Sequence, residues 1–275
     1  MNIHNASAER VRTFRRDVWK FYRVHGRDDL PWRHTEDPYK ILVCEVMLQQ
    51  TQVPRVVPKY LDFLEAFPTV SHLAHADTHN VLELWQGLGY NRRALALKRA
   101  AAEVTRIHGG SMPVERVDLE RLPGVGAYTA GAVRVFAYNK PEVLIETNIR
   151  TVMFNEFFEN AITVSDRELH SLVEQTLDTR KPREWYWALM DLGAHLKRAG
   201  VRVNNMSRHY KKQPTFKGSD RQIRGAIIRT LVQQGSMGQQ RLVRTLSFPS
   251  ERVKEQVRAL TREGMLQKKD RKVSL

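Results

Sequence analysis

Apolar residues recur at helical spacing along most of the chain, which predicts a mainly α-helical fold. Strand signals are scarce before a hairpin that starts at Gly264 and ends at Val273.

Residues 41–48 are apolar on every helical face apart from Glu45, so this helix is predicted to be buried. A glutamate there is unfavourable unless it is paired or functional. Burial would raise its pKa towards values that suit proton transfer, and a structural bridge between elements is the alternative.

Residues 122–126, with the sequence LPGVG, separate an apolar segment from a predicted helix over 129–137. The glycines permit a tight turn whose backbone N–H groups can approach a phosphate, beside the positive end of the second helix. Such a helix–hairpin–helix grips a DNA backbone without reading its sequence, and an ordinary turn is the alternative. A carboxylate about twenty residues on, Glu146, would then lie near the gripped nucleotide. The DNA-binding positions of the hairpin are Gly124, Val125 and Gly126.

The buried helix is followed by Gln49, Gln50 and Thr51, whose side chains suit contacts with base edges in a groove. A solvated polar helix end is the more common meaning of such glutamines.

Residues 87–93, GLGYNRR, form a glycine-containing loop with one aromatic and two cationic side chains. Tyr90 could act as a wedge that unstacks a base step, with Arg92 and Arg93 on phosphates. A plain loop between two helices is the alternative.

A basic C-terminal segment follows a linker predicted at 211–219. Its pattern predicts helices over 221–234, 239–246 and 250–263 before the hairpin, which is typical of a winged helix–turn–helix. The residues predicted to form its small core are Ile223, Ile227, Ile228, Leu231, Leu242, Val243, Leu246, Val253, Val257, Leu260, Met265 and Leu266.

The charge of the chain is concentrated in this segment. Residues 217–275 contain 14 Lys and Arg against 5 Asp and Glu, out of a net charge of +15 for the whole chain. This uneven distribution favours DNA contact over a merely solvated surface, through Arg258 on the third helix and Lys268 and Lys269 on the wing.

Composition agrees with a nucleic-acid partner. The pI near 10.1 suits a polyanion, and 275 residues suit two domains. No N-terminal apolar stretch approaches a signal peptide or a membrane span, so we expect a soluble, cytoplasmic, nucleoid-associated protein. The single cysteine fits a reducing compartment.

Four segments, in order and close to the expected spacing, resemble the adenine DNA glycosylase (MutY) family of the helix–hairpin–helix glycosylase superfamily. They are EVMLQQTQV at 45–53, GLGY at 87–90, LPGVG at 122–126 and MDLGA at 190–194, within a match from about 30 to 194. The resemblance implies a two-lobed glycosylase domain over 1–216, followed by the winged helix–turn–helix domain over 217–275. The six-helix lobe would cover about 31–138, and the second lobe about 1–30 and 139–210.

The resemblance also implies catalytic roles. Glu45 resembles the general acid/base that protonates the adenine and handles the attacking water. Glu146 stands where the family has an aspartate that stabilises the oxocarbenium-like sugar. Tyr128 and Asn148 resemble residues that orient these carboxylates.

Contacts with DNA follow in the same way. Gln50 and Tyr90 resemble the wedge that enters the duplex when the target base is flipped out, and Thr51 and Leu88 would lie near the opposing base. The candidates for the wall of the base pocket are Trp32, Arg33 and Trp187. The bulky segment 185–187 lies where the family has smaller or polar residues near the base, and core packing is its favoured explanation.

Tyr128 stands where bifunctional relatives have the lysine that forms a Schiff base with the sugar. We therefore expect a monofunctional DNA N-glycosylase without AP-lyase activity, acting as a monomer on duplex DNA with a mispair or damaged base. Adenine opposite 8-oxoguanine or guanine is the expected target. A mismatched or damaged pyrimidine, such as T or U opposite G, and a non-catalytic role in binding DNA structures are the alternatives.

The chain departs from the family in three ways. Its only cysteine is Cys44, and residues 195–205 contain none, so we expect no iron–sulfur cluster and no other metal. Glu146 is one methylene longer than the aspartate, which implies a reshaped pocket, a slow enzyme or an inactive one. The Nudix-like domain that checks for 8-oxoguanine has no counterpart in this sequence.

Overall fold

The computed structural model describes residues 6–158, 163–207 and 215–275, which form fourteen α-helices and a small sheet. The mainly α-helical prediction is confirmed. The first seven helices are α1 (Ala8–His25), α2 (Pro38–Leu48), α3 (Val53–Ala66), α4 (Val70–His75), α5 (Thr78–Leu84), α6 (Arg92–His108) and α7 (Arg116–Arg121). The other seven are α8 (Ala127–Phe136), α9 (Thr147–Phe157), α10 (Asp166–Thr176), α11 (Pro182–Arg198), α12 (Asp220–Gln234), α13 (Gln239–Thr245) and α14 (Ser250–Arg262).

The sheet lies in the C-terminal segment and contains β1 (Met237–Gly238), β2 (Gln267–Lys269) and β3 (Lys272–Ser274). The strands are antiparallel in the order β1-β3-β2. The predicted hairpin is confirmed. Strand β1 was not predicted, because two residues are too few to show an alternating pattern.

The described residues fall into two compact units. The first draws on 1–41, 114–120 and 126–212, and the second on 42–113, 121–125 and 213–275. The predicted linker lies partly outside the described residues, which resume at 215. No helix of the described part of the chain is long and apolar enough to cross a membrane.

The core of the first unit is built around α11, which packs against α1 and α9. Trp185 and Tyr186 are fully buried on α11, which confirms core packing for these two members of the 185–187 segment. Phe14 of α1 meets the Trp185 ring edge-to-face at a centroid distance of 5.9 Å. The Tyr186 hydroxyl donates to the Glu142 carbonyl at 2.7 Å and accepts from the Leu144 N–H at 2.9 Å.

The core of the second unit includes the contacts of α6 with α4 and α5, and of α12 with α5 and α14. Ten of the twelve residues predicted for the C-terminal core are buried, and Val243 and Leu246 are half-buried. The helical spacing was thus sufficient to identify the apolar face of each C-terminal helix.

Candidate functional site

Glu146 is the N-cap residue of α9, and its carboxylate is held by its own helix. Oε1 accepts hydrogen bonds from the backbone N–H groups of Asn148 at 2.7 Å and Ile149 at 3.0 Å. Oε2 accepts from the Thr147 hydroxyl at 3.0 Å and the Asn148 side-chain amide at 3.2 Å. The structure thus brings the predicted pair Glu146 and Asn148 together. The extra methylene of the glutamate is accommodated by this cap, at the positive end of the helix dipole.

The start of α9 is approached closely by α11 at a glycine. A Cβ atom on Gly193 would lie 2.3 Å from the backbone oxygen of Asn148, so only glycine allows this packing. Lys197, about one turn further along α11, is close enough to feel the charge of Glu146. Burial lowers the pKa of Lys197, and the interaction with Glu146 offsets part of this effect. Helix α11 therefore both packs against the turn that carries Glu146 and places a cation near it.

Two predicted pocket residues, Arg33 and Trp187, lie together in the first unit. Arg33 donates to the two carboxylate oxygens of Asp191 at 2.8 and 2.9 Å, and Arg27 Nε donates to the same carboxylate at 2.6 Å. The Arg33 guanidinium is 5.3 Å from the centroid of the Trp187 ring. Trp187 in turn stacks on Phe136, with ring centroids 6.4 Å apart. Arg33 is thus a buried ion-pair residue that lies beside a half-buried aromatic surface.

Asp191 is the buried centre of this group. Burial alone would raise the pKa of Asp191, but the hydrogen bonds and charges of Arg33 and Arg27 outweigh it and hold the pKa below its ordinary value. Trp32 is buried in the short 3₁₀ helix Pro31–Arg33. The assignment of these residues to a base pocket stays a prediction.

Tyr128 is half-buried in the first turn of α8, which begins after its N-cap Gly126. At the preceding turn, Gly124 has a φ of +80°, and a Cβ atom there would lie 2.7 Å from the Ala96 side chain. Val125 N–H donates to the Leu122 carbonyl at 3.0 Å and closes the turn. Gly124 is therefore required both by its backbone conformation and by its packing.

Glu45 lies on α2 and is 8% exposed, as predicted for this apolar helix. Its neighbour Cys44 is buried too. Burial raises the pKa of the Cys44 thiol well above its ordinary value, and the charge of Glu45 raises it further. Glu45 thus lies buried on an apolar helix, whereas Glu146 lies at a helix start with its carboxylate held by hydrogen-bond donors.

The two residues predicted to form the wedge have unusual backbone conformations. Gln50 has a φ of +56° and Tyr90 a φ of +48°, among five non-glycine residues with positive φ in the described part of the chain. Left-handed backbone at a residue with a long or aromatic side chain is strained and is common at functional sites. The strain therefore supports a functional role for both positions.

Arg93 fixes the loop that carries Tyr90. Its Nη1 donates to the carbonyl oxygens of Val46 at 2.6 Å and Met47 at 3.0 Å, which lie at the end of α2. Its Nη2 donates to oxygens of Thr51, Leu88 and Gly89 at 3.1 to 3.2 Å. Burial lowers the pKa of Arg93 to about 10, which leaves the side chain cationic at neutral pH. Arg93 therefore clamps α2 to the loop. The expectation that Arg93 contacts phosphates is wrong, because its guanidinium group is hydrogen-bonded within the protein.

Several predicted DNA-binding residues line one cavity of the second unit: Gln50, Leu88, Tyr90 and Arg92. Thr51 is tied to the same loop, with its hydroxyl 3.4 Å from the Leu88 carbonyl oxygen. Gln49 is half-buried beside Gln50. The structure therefore assembles the predicted wedge and its neighbours, although their contacts with DNA stay predictions.

The basic residues predicted on the C-terminal helix and hairpin are accessible. Arg258, Lys268 and Lys269 are exposed. Lys268 Nζ donates to the side chain of Gln239 at 3.0 Å, which places it near the start of α13. This surface is suited to contacts with an anionic partner.

The residues after α11 do not fit an iron–sulfur cluster. The sole cysteine, Cys44, is buried in α2, whereas a cluster of this kind needs four thiolates. The segment is closed by hydrogen bonds instead, because the Asn204 amide donates to the Thr151 hydroxyl of α9 at 3.0 Å. Among the described residues, no group of three or more His, Cys, Asp or Glu side chains could hold a metal ion.

Three residues that position these sites were not identified from the sequence. Asp191 and Gly193 lie in the MDLGA segment, which was quoted for its resemblance but not assigned a role. The sequence predicts Arg93 on a phosphate because a cation after a glycine loop resembles a phosphate ligand. A polar residue and a glycine next to the apolar residues 185–190 are the signals that the sequence offers for the other two.

Comparisons with known proteins agree with the fold and the motifs. The profile of the HhH-GPD superfamily of base excision DNA repair proteins matches residues 43–184. An adenine DNA glycosylase from Buchnera aphidicola is 32% identical over 185 residues, which are 66% of this chain and 52% of that protein. The chain thus spans about half the length of that relative.

A second relative has another substrate in its name. A thymine/uracil-DNA glycosylase from Pyrobaculum aerophilum is 34% identical over 184 residues, which are 65% of this chain and 80% of that protein. The solved structure of a thermostable thymine-DNA glycosylase is 30% identical, with a TM-score of 0.63. That alignment covers 69% of this chain and 88% of the other.

Proposed function

Because this chain belongs to the HhH-GPD superfamily of base excision DNA repair proteins, we propose that it is a monofunctional DNA glycosylase. It flips a mispaired base out of duplex DNA and hydrolyses the N-glycosidic bond. A base inside the stack is unreachable, and its extrusion costs a few kcal/mol. Gln50 and Tyr90 would fill the space left in the duplex, and their left-handed backbone conformations support this role.

The observation that carries this proposal is the contrast between the two carboxylates. Glu45 is buried in an apolar helix, where a carboxylic acid can protonate the departing base. Glu146 is held by four hydrogen bonds at a helix start, where a carboxylate can face the cationic sugar that develops as the bond breaks. Two carboxylates in such different surroundings supply the acid and the charge stabilisation that the reaction needs.

The absence of AP-lyase activity is part of the proposal. Tyr128 offers a phenol where a Schiff base requires an amine. The enzyme would therefore leave an intact abasic site. It would also work without an iron–sulfur cluster, since the chain has one cysteine.

The first candidate substrate is adenine opposite 8-oxoguanine or guanine. The EVMLQQTQV segment and the likeness to an adenine DNA glycosylase support it. The second candidate is T or U opposite G, which the likeness to a thymine/uracil-DNA glycosylase favours. Glu45 is required in both cases.

We further propose that residues 217–275 form a winged helix–turn–helix domain that binds DNA. Helices α12, α13 and α14, followed by the β2–β3 hairpin, support this assignment. The hairpin carries exposed Lys268 and Lys269. Replacing either lysine with glutamine is expected to lower the magnitude of the slope of log K for DNA binding against log salt concentration by about 0.9 if that lysine contacts a phosphate.

Single-turnover base release tests the activity. Duplexes carry A opposite 8-oxoguanine or G, or T or U opposite G, and alkaline cleavage reveals abasic sites. Wild type is compared with Glu45→Gln, and borohydride trapping detects a covalent intermediate. Release from one class of duplex, lost in Glu45→Gln and without trapping, is the expected result.

Other results discriminate between the alternatives. Release of T or U without A selects the second substrate. Efficient strand cleavage with a trapped intermediate would contradict the monofunctional assignment. Equal DNA binding by wild type and Glu45→Gln, with no release from any duplex, would point to a non-catalytic protein that binds DNA structures.

A further inference from the structure

A cavity of about 740 Å³ opens within the second unit, between the 87–92 loop and helices α12 and α14. Its size lies within the range of about 300–1,000 Å³ that is typical of ligand sites. Arg221 of α12 donates a hydrogen bond to the Tyr90 hydroxyl at 2.9 Å, across one edge of the cavity. The C-terminal segment and the proposed wedge loop thus build one wall together.

The cavity has an excess of positive charge, because five arginines and two acidic residues line it. Both acids are already paired. Arg224 donates to the two oxygens of Glu263 at 2.9 and 2.6 Å, and Arg252, outside the cavity, donates to Asp220 at 2.5 Å. The guanidinium group of exposed Arg229 is suited to phosphate.

Two aromatic rings flank one guanidinium at this site. The Arg221 side chain lies 5.9 Å from the centroid of the Tyr90 ring and 6.0 Å from that of Phe216. Phe216 is 60% exposed, which is unusual for so large an apolar side chain. Aromatic rings beside cations are the surfaces on which unstacked bases pack.

The cavity also offers a polar group and free space. Gln256 of α14 is 6% exposed and lines the cavity, so a largely buried amide is available to the edge of a base.

Gly225 lies in the middle of α12, and a Cβ atom there would meet nothing within 4 Å. Glycine destabilises a helix interior by about 1 kcal/mol relative to alanine. Packing does not demand this glycine, and its effect is to leave the cavity open.

We propose that this cavity binds unstacked nucleotides of single-stranded DNA, with their phosphates on the arginines and a base against Phe216 and Tyr90. In an undistorted duplex the faces of the bases are covered by their neighbours, whereas a single strand can present several successive bases to these rings. The site goes beyond the proposed base excision: it shares Tyr90 with the proposed wedge, but none of its contacts involves Glu45 or Glu146.

Fluorescence anisotropy of a labelled oligothymidylate of about ten nucleotides tests the proposal. Phe216→Ala is expected to weaken binding by about 5- to 150-fold, the loss of one stacked base. Arg229→Gln is expected to lower the magnitude of the slope of log K for oligonucleotide binding against log salt concentration by about 0.7. Arg167→Gln, the same change of charge at an exposed position of α10 in the first unit, should bind like wild type.

A cavity-filling variant provides an independent test. Gly225→Leu places a side chain in the open space and replaces a poor helix former with a good one, so its thermal stability should equal or exceed that of wild type. Its affinity for the oligonucleotide should fall by about 10-fold or more. A stable Gly225→Leu protein that binds like wild type would overturn the proposal.

Two controls separate the possible failures. Glu45→Gln should bind the oligonucleotide like wild type whether or not base release occurs, so a missing glycosylase activity leaves the test intact. Thymidine monophosphate should bind at least about 10-fold more weakly than the oligonucleotide. Equal affinity for thymidine monophosphate and the oligonucleotide would show a site for free nucleotides. Equal losses of oligonucleotide affinity in Arg229→Gln and Arg167→Gln would show only general charge attraction. Either result refutes the single-strand site.

Discussion

Glu45 and Glu146 lie in opposite surroundings, one in each of the two compact units. Glu45 is enclosed by the apolar residues of α2, and that helix end is clamped by Arg93. Glu146 is only half-buried, yet its carboxylate is fixed by the first turn of α9. Burial on an apolar helix distinguishes Glu45, and hydrogen-bond donors at the start of its own helix distinguish Glu146.

The two units hold these carboxylates by different means. The position of Glu146 depends on local hydrogen bonds and on the close approach of α11 at Gly193. The surroundings of Glu45 depend on long-range contacts, because Arg93 joins α2 to a loop more than forty residues later. Substitutions that remove one kind of support and leave the other intact therefore test this difference between Glu45 and Glu146.

The largest effect is expected from the carboxylates themselves. Glu45→Gln removes the proton donor and should lower single-turnover base release by about 10²- to 10⁴-fold. Glu146→Gln retains a capping side chain but removes the charge, and should lower release by about 10²- to 10³-fold. Both variants should bind duplex DNA like wild type, and full activity in either would remove that residue from the mechanism.

Next in size is Asp191→Asn, which leaves Arg33 buried without its charged partner. Because the Asp191 and Arg33 side chains are 1% and 4% exposed, the free energy of unfolding should fall by about 3–5 kcal/mol. The control is Asp17→Asn, which breaks an exposed pair and should change stability by less than about 1 kcal/mol. Urea denaturation measures both.

The same pair predicts a pH dependence. The pKa of Asp191 is lowered in the folded protein, so its stabilisation is fully present above the ordinary aspartate pKa of about 3.9 and is lost as the pH falls through the folded value. Acid destabilisation of the wild type should therefore be steeper below about pH 4 than that of Asp191→Asn. Parallel curves would show that Asp191 does not contribute.

A smaller effect is expected from Gly193→Ala. The added methyl group cannot fit against the Asn148 backbone, so α11 and α9 must separate, at about 1–3 kcal/mol of stability. Base release should fall more than DNA binding, because the shift moves Glu146. Gly238→Ala is the control, since a Cβ there meets nothing within 4 Å.

The smallest predicted change is that of Arg93→Lys. Lysine keeps the charge but cannot reach both α2 and the loop, so stability should fall by about 1–2 kcal/mol. Arg92→Gln at the exposed neighbouring position should change stability by less than about 1 kcal/mol. An Arg93→Lys protein as stable as wild type would show that the clamp is dispensable.

Much of the fold followed from periodicity and motifs. The apolar face of α12 and the start of α14 at Ser250 were predictable because helix spacing is a local signal. The burial of Glu45 was predictable for the same reason, since its neighbours on all sides are apolar.

The rest depended on contacts between distant residues. Nothing near Arg93 in the sequence indicates that it meets the carbonyl groups of α2, and nothing near Asp191 indicates two arginines more than 150 residues away. The capping geometry of Glu146 was also missed. The longer carboxylate implies a reshaped pocket, a slow enzyme or an inactive one, but the sequence does not indicate that it folds back onto its own helix.

The left-handed backbone at Gln50 and Tyr90 has a consequence for the evolution of this chain. Glycine at exposed Gln50 would relieve strain of about 1 kcal/mol or more, so selection for thermostability alone would replace this side chain. Tyr90 is half-buried and accepts a hydrogen bond from Arg221, so its replacement by glycine would lose these contacts as well as the strain. A laboratory screen for heat-resistant variants should therefore recover Gln50→Gly rather than Tyr90→Gly, and the Gln50→Gly protein should fold better while it processes DNA worse.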